Sequence, residues 1–151
     1  MATCRTFRNE LDITDIYNID EKYKKILTQS IIDRYINIKK LDALGNTKIT
    51  NVNHLAKLEI LYAFGQCGIN DIGIMCSINL KSLNASDNSK ITNVNNLVNL
   101  ETLYANNKCG INDAGIINCI NLKILNYHIN TKITKNWLNN LLITILFIYD
   151  H

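Results

Sequence analysis

The fold is decided by the stretch Lys48-Ile49-Thr50-Asn51-Val52-Asn53, which recurs unchanged as residues 90–95. Lys132-Ile133-Thr134 begins a third copy at the same spacing, so the copies start at positions 48, 90 and 132. A second stretch, Cys67-Gly68-Ile69-Asn70-Asp71, recurs with the same period as residues 109–113. A fixed internal period is typical of repeat proteins, in which stacked copies bury one continuous core.

Each period contains two shorter units that open with the pattern Leu-x-x-Leu-x-Ala, as in Leu58, Leu61 and Ala63. The units start at positions 38, 58, 80, 100, 122 and 142, so a shorter and a longer unit alternate. The sequence therefore predicts six units over residues 38–151, the last of them truncated. Residues 1–37 are predicted to form an N-terminal cap, and the whole chain a single folded domain.

The opening pattern of each unit predicts a short strand, because Leu61 and Ala63 alternate with Tyr62. Leucine and alanine are expected to face the core, and tyrosine the solvent. Apolar residues then recur every three positions, at Ile91, Val94, Leu97 and Leu100 in one unit and at Ile69, Ile72, Met75 and Ile78 in another. Three residues per turn predicts a 3₁₀ or short helical return that packs these side chains against the strands.

These units resemble the leucine-rich repeat family, whose units run about 20 to 29 residues and begin LxxLxLxxN. Asn46, Asn88 and Asn130 hold the asparagine position in alternate units, while Cys67 and Cys109 resemble the cysteine-containing subclass. The composition is similar to that of leucine-rich repeat proteins of amoebae and of the large DNA viruses that infect them. The resemblance implies an α/β leucine-rich repeat solenoid, with a curved parallel β-sheet, a convex side of 3₁₀ or short helices, and an N-terminal helical cap.

Polar residues at the corner after each strand are expected to satisfy backbone groups of adjacent turns. We therefore predict that Asn46, Asn88 and Asn130 form a structural ladder. The thiols of Cys67 and Cys109 would serve more weakly in the same place.

The N-terminal segment lacks the repeat pattern and is predicted to be helical over about residues 20–35. Its apolar residues fall on one face at helical spacing, at Tyr23, Ile26, Leu27 and Ile31. Such a helix would cover the open end of the first unit, because the terminal turn of a solenoid must be capped. Residues 13–16 resemble the Ile-Thr-Asn-Val stretch and are predicted to form a degenerate return.

The C-terminal stretch LLITILFIY, residues 141–149, is apolar but far too short to span a membrane. If Leu142, Ile145 and Phe147 face the core, the outward positions are Ile143, Leu146 and Ile148. Two interpretations stay open: an ordinary capping strand, or a strand through which residues 142–148 form a homodimer by edge pairing.

Composition excludes several classes of protein. The chain has 151 residues, 47% of them hydrophobic and 19% charged, with a net charge of +3, which is too weakly basic to predict nucleic-acid binding. The apolar runs are too short for a membrane span, and the start of the chain does not resemble a signal peptide, so a cytoplasmic protein is expected, in the host cytoplasm if the chain is viral. Isoleucine and asparagine are the two most frequent residue types, and asparagines outside the ladder are ascribed to an AT-rich genome.

Catalytic and metal-binding patterns are absent from the sequence. His54, His128 and His151 share no ligand spacing with the five cysteines, and no phosphate-binding loop or nucleophile elbow is present. The sequence therefore predicts no enzyme, no catalytic residue, no metal and no cofactor.

The outward strand positions define a concave face that is the predicted binding surface. Tyr62, Phe64 and Tyr104 are rigid aromatic contacts of the kind enriched in binding hot spots, and Asn84 and Asn126 supply polar groups between them. Sequence duplication alone would also place tyrosines two units apart. The resemblance implies a scaffold-type interaction module that binds an unidentified protein on this face, a host protein if the chain is viral.

Overall fold

The structure, a computed structural model, describes residues 14–16, 21–24, 26–134 and 147–149. The strands are β1 (Asp15–Ile16), β2 (Lys40–Asp42), β3 (Ile60–Tyr62), β4 (Ser82–Asn84), β5 (Thr102–Tyr104), β6 (Ile124–Asn126) and β7 (Phe147–Tyr149). The helices, each a single short turn, are α1 (Glu21–Lys24), α2 (Gln29–Ile32), α3 (Asp71–Ile74) and α4 (Asp113–Ile116).

The strands form one parallel sheet in which the spatial order follows the chain order from β1 to β7. Every crossover therefore advances the chain by a single strand, which is the arrangement of a solenoid. The second leucines of the repeat pattern lie side by side, at Leu41, Leu61, Leu83, Leu103 and Leu125. The predicted parallel sheet and its register over these five units are confirmed.

The core lies between the sheet and the return segments. Leu61 and Ala63 are fully buried, as are their counterparts in neighbouring units. On the return side Ile91, Val94, Leu97 and Leu100 are at most 1% exposed, so the three-residue spacing predicts their burial correctly.

The same spacing gives a wrong result for the cysteine-containing units. Ile72, Met75 and Ile78 are 70%, 49% and 53% exposed, whereas Ile74 is 1% exposed. The cause is the helical turn α3, which starts after Asn70, whose side chain accepts a hydrogen bond of 3.0 Å from the Gly73 amide. A helix advances by about 3.6 residues per turn, so Ile74 points to the core in place of Ile72.

The single N-terminal helix predicted over residues 20–35 is also wrong. Two separate helical turns, α1 and α2, occupy this region, and Tyr23 and Ile26 are 52% and 59% exposed. Residues 15–16 form strand β1, which pairs with β2, instead of the predicted return. The sheet therefore extends one strand further toward the N-terminus than the repeat pattern indicates.

Residues after Leu27 fold differently from the prediction because they already follow the repeat. The Oε1 atom of Gln29 accepts hydrogen bonds of 2.9 and 3.0 Å from the amides of Thr50 and Asn51. The side chain at the equivalent position of the next period, Asp71, accepts from the amides of Thr92 and Asn93 in the same way. This stretch is the return half of a preceding unit, and its packing requires short turns instead of one continuous helix.

The last strand lies further along the chain than the unit spacing predicts. Ile148 of β7 pairs with Leu125 of β6, the place that the unit starts at positions 122 and 142 assign to Ile145. The chain between β6 and β7 is three residues longer than the unit spacing predicts, so Ile148 and not Ile145 lies beside Leu125.

Candidate protein-interaction surface

The central residues of consecutive strands form a column on the concave face. The register places Tyr62 beside Asn84, Asn84 beside Tyr104, and Tyr104 beside Asn126. Neighbouring strands lie about 4.8 Å apart, so a single extended partner can reach all four side chains. Tyrosine and asparagine alternate because the sequence repeats every two units.

The four side chains of this column are partly exposed to solvent, and the backbone that carries them is held by hydrogen bonds between the strands. Tyr104 is 36% exposed, and Tyr62, Asn84 and Asn126 are half-buried. Backbone bonds hold the ends of the strands, such as the 2.8 Å bond from the amide of Ala85 to the carbonyl oxygen of Tyr104. A rigid, partly desolvated side chain loses little conformational entropy on binding, which favours its use in recognition.

The two asparagines of the column are oriented by their own turns. The Oδ1 atom of Asn84 accepts a 3.1 Å hydrogen bond from the Ser86 amide. The Oδ1 atom of Asn126 accepts a 3.3 Å bond from the His128 amide. Because the oxygen is held by the backbone, the Nδ2 group of each carboxamide is directed away from that amide and can donate to a partner.

The column is closed at its N-terminal end by an ion pair. Asp42, which lies beside Tyr62 in the strand register, is 8% exposed and contacts Lys24 at 2.7 Å between carboxylate and ammonium. Its carboxylate also accepts a 3.0 Å bond from the Leu44 amide. The usable column therefore begins at Tyr62. The sequence does not single out Lys24, because it lies outside the pattern from which the units were recognised.

The middle of the concave face is electrically neutral. Its side chains on strands β3 to β5 and the turns that follow are Ile60, Tyr62, Phe64, Ser82, Asn84, Ser86, Thr102, Tyr104 and Asn106. Phe64 is half-buried beside Tyr62, and Ser86 is buried, its Oγ accepting a 3.2 Å bond from the Asn106 amide. A neutral aromatic and amide surface fits a polypeptide better than a phosphate backbone, which is bound chiefly through lysine and arginine.

The ladder asparagines lie in the turns that follow the strands. Asn88 is 1% exposed, and its Nδ2 donates to the carbonyl oxygens of Ala63 and Ile69 at 2.9 and 3.1 Å. Its Oδ1 accepts a 3.0 Å bond from the Lys90 amide. The equivalent bonds of Asn130 and Asn46 join their own units to the unit before. Each side chain therefore satisfies backbone groups of two adjacent turns.

Cys67 and Cys109 are fully buried at the corresponding corner of the intervening units. Burial raises the pKa of the Cys109 thiol to about 11 and also raises the pKa of Cys67. Nearby backbone amides, those of Ile69 beside Cys67 and Ile111 beside Cys109, act in the opposite direction by favouring the thiolate. Buried thiols of raised pKa are poor nucleophiles, so these positions suit packing and not catalysis.

Further asparagines, outside the predicted ladder, make bonds of the same kind. The Nδ2 groups of Asn79, Asn99 and Asn121 donate to backbone carbonyl oxygens of the preceding unit at 2.8 to 2.9 Å. Asn53 and Asn95 do the same toward the following unit. The sequence does contain a pattern that marks these asparagines, since Asn directly precedes the first leucine of three consecutive units. The attribution of these asparagines to genome composition is therefore corrected.

Of the three predicted dimerisation residues, the structure describes Ile148. Ile143 and Leu146 lie outside the described residues. Ile148, predicted to face outward, has the register position of Leu125, which the core leucines hold in the earlier strands.

Two other features bear on the range of functions. Within residues 14–16, 21–24, 26–134 and 147–149, no group of three His, Cys, Asp or Glu side chains is arranged to hold a metal ion. None of the helices in that part of the chain has the length and apolar character needed to cross a bilayer.

Comparison with known proteins agrees with the fold. No protein-family model and no curated protein sequence matches the chain. Among solved structures the chain is similar to internalin C2 of Listeria monocytogenes str. 4b F2365, with a TM-score of 0.57 and 26% sequence identity. The alignment covers 86% of this chain, which spans 66% of the length of the internalin chain. The chain is thus similar in structure to a leucine-rich repeat protein, and its architecture is a leucine-rich repeat solenoid.

Proposed function

We propose that the chain is a non-enzymatic interaction module that binds a protein partner on its concave face. A leucine-rich-repeat-like fold suggests a protein-interaction module in general. The observation that carries the specific proposal is the aligned column of Tyr62, Asn84, Tyr104 and Asn126 on four neighbouring strands.

The chemistry of the column favours an extended, uncharged segment of polypeptide. The carboxamide Nδ2 groups of Asn84 and Asn126 can donate to backbone carbonyl oxygens of the partner. Tyr62 and Tyr104, with Phe64 beside them, offer apolar ring surface for side chains that the partner projects between those bonds. Burial of aromatic rings provides most of the affinity in such contacts, and the amides fix the register of the bound segment.

The proposal is tested by partner capture with matched surface variants. The double variant Tyr62→Ala and Tyr104→Ala removes both rings of the column while leaving the core leucines intact. We expect this variant to unfold at the same denaturant concentration as the wild type and to lose the proteins that the wild type captures from lysate of the native cell. Binding of each captured protein is then measured by calorimetry with purified components.

The matched control is the double variant Ile72→Ala and Met75→Ala, which removes two exposed apolar side chains from the convex side. The control is expected to bind the captured partner with wild-type affinity. Equal binding by the concave variant and the wild type, or loss of binding in the convex control alone, would contradict the proposal.

A second candidate is self-association through the last strand, over residues 142–148 and β7. The observation that favours it is the position of β7, which ends the sheet order and pairs with β6 alone among the described strands. An unpaired strand edge offers backbone groups to another chain. Sedimentation that shows a monomer at high concentration, unaltered by Leu146→Lys, would remove this candidate.

A further inference from the structure

A second surface of the solenoid carries a periodic pattern that the concave face does not explain. It lies at the corner where each return segment enters its strand, and it has three parallel rows. The apolar row is Ile36, Ala56, Ile78, Val98 and Ile120. The amide row beside it is Asn37, Asn79, Asn99 and Asn121, with Lys57 in the place of an asparagine between Asn37 and Asn79. The charged row is Lys39, Glu59, Lys81, Glu101 and Lys123. We call this surface the edge face.

The apolar row is exposed along its whole length. Ile36, Ile78, Val98 and Ile120 are 65%, 53%, 49% and 71% exposed, and Ala56 is exposed as well. Single exposed apolar side chains are ordinary, but a continuous row of them on consecutive units is a mark of an interaction site. No packing requirement accounts for the row, since the core beneath it is filled by the buried leucines of each unit.

The edge face is rigid, because asparagines of its amide row donate hydrogen bonds to the backbone of the preceding unit. Asn99 donates to the carbonyl oxygen of Ile78 at 2.9 Å, and Asn121 donates to that of Val98 at 2.8 Å. Both acceptors belong to the apolar row. The rows therefore keep the strand spacing of about 4.8 Å from unit to unit.

The charged row alternates in sign along the stack. Lysines stand at 39, 81 and 123 and glutamates at 59 and 101, because the sequence period covers two units. Lys81 contacts Glu59 at 2.9 Å and Lys123 contacts Glu101 at 2.7 Å. The first of these contacts lowers the pKa of Glu59 and raises the pKa of Lys81. Both groups are thus charged near neutral pH, and their heads remain open to water.

An alternating row of this kind is complementary to a second copy of itself. When two edge faces meet about a two-fold axis that reverses the stacking direction and passes midway between units, Lys39 lies opposite Glu101 and Glu59 opposite Lys81. The same axis places Ile36 opposite Val98 and Ala56 opposite Ile78.

Two other kinds of symmetric arrangement of the same row are disfavoured. A reversing axis that passes through a unit, or a two-fold axis that runs along the charged row, brings like charges together. Symmetric dimers use one patch that is complementary to itself, and the antiparallel arrangement provides such a patch.

We propose that the edge face is a homodimer interface in which two copies of this chain pack antiparallel, apolar row on apolar row and charged row on charged row. Four units overlap, over a length of about 19 Å at the strand spacing, so the contact is at the small end of specific interfaces. A weak dimer that forms at high protein concentration and weakens with added salt is expected, because exposed charges are screened.

The test is a charge-swap experiment followed by sedimentation velocity at several protein concentrations. The variant Glu59→Lys with Glu101→Lys makes the row entirely positive. The variant Lys39→Glu with Lys81→Glu and Lys123→Glu makes it entirely negative. Each variant alone is expected to sediment as a monomer where the wild type is dimeric, and an equimolar mixture of the two is expected to restore the dimer.

Two further variants separate loss of the interface from loss of the fold. Ile78→Ser with Val98→Ser shortens exposed side chains only, and it is expected to weaken the dimer with an unchanged circular dichroism spectrum. Lys108→Glu reverses an exposed charge outside the edge face and is expected to leave the dimer intact. A wild-type protein that stays monomeric at every concentration overturns the proposal. Dimers that persist equally in both charge variants overturn it as well, and they point to the last strand instead.

Discussion

At the scale of single residues, asparagine is the residue that holds consecutive units together. Asn88 and Asn130 are buried and bridge two units, and Asn79, Asn99 and Asn121 do so at the surface. Asn70 and Asn112 instead begin helical turns by accepting from the amides of Gly73 and Gly115. A carboxamide can donate and accept at once, so one side chain satisfies both an amide and a carbonyl that the turn would otherwise leave unpaired.

Because Asn88 is buried in the ladder, we expect Asn88→Ala to lower the free energy of unfolding strongly. The substitution leaves an amide and two carbonyl groups without their bonds in the core, where each unsatisfied group costs about 1 to 3 kcal/mol. We expect the free energy of unfolding to fall by about 3 kcal/mol or more, measured by urea denaturation. The control is Asn96→Ala at an exposed position, for which a change within about 0.5 kcal/mol is expected. Equal effects of the two substitutions would contradict the ladder.

A second residue-scale prediction concerns Ile129, which has a φ of 61° and is 67% exposed. The equivalent corners of earlier units hold Gly45, Gly65, Asp87 and Asn107, all with φ between 56° and 68°. Left-handed backbone costs an ordinary residue about 1 to 2 kcal/mol, and asparagine tolerates it better than a β-branched side chain. We expect Ile129→Asn to raise the free energy of unfolding by about 1 kcal/mol in urea denaturation.

The matched control for Ile129 is Ile117→Asn, at an exposed isoleucine with a φ of −59°. The control relieves no strain and is expected to give no stabilisation. A gain of equal size at both positions would show that loss of exposed apolar surface, and not backbone strain, is responsible.

At the scale of elements, the sequence predicted what recurs and failed where the chain departs from the period. Strands β2 to β6 lie where the leucine pattern places them, because burial of every second residue fixes the register. The buried side chains of the return segments were predicted correctly in the unit of Val94 and wrongly in the cysteine-containing units. A spacing of three is compatible both with an extended return, as at Val94, and with a helical turn, as at Ile74, and only the cap at Asn70 distinguishes the two. Strand β1 was misassigned as a return because residues 13–16 resemble the Ile-Thr-Asn-Val stretch of the repeat.

The close packing of the helical turns predicts that Gly115→Ala is strongly destabilising. A Cβ atom at this position would overlap the backbone carbonyl oxygen of Thr92 in the preceding unit. Backbone cannot yield as a flexible side chain can, so we expect a loss of about 3 kcal/mol in the free energy of unfolding, measured by urea denaturation. The control is Ala114→Gly, the neighbouring exposed residue, which loses only helix propensity of about 1 kcal/mol. Tolerance of alanine at position 115 would contradict the close approach of the two units.

At the scale of the whole molecule, the period of two units explains both surfaces of the solenoid. The alternation of Tyr62, Asn84 and Tyr104 on the concave face and the alternation of lysine and glutamate on the edge face have the same origin. The sequence was sufficient to place the concave side chains, since they follow from strand register. The sequence did not identify the edge face. The spacing of three predicts a buried side chain at Ile78, whereas the helical turns α3 and α4 leave Ile78 and Ile120 exposed.

Contact between the concave face and a partner can be detected by site-specific photo-crosslinking. Benzoylphenylalanine is introduced in place of Tyr104 on the concave face or in place of Met75 on the convex side, and each protein is irradiated with the captured partner. We expect a covalent adduct with the partner from position 104 and none from position 75. An adduct from position 75 without one from position 104 would contradict contact through the concave face.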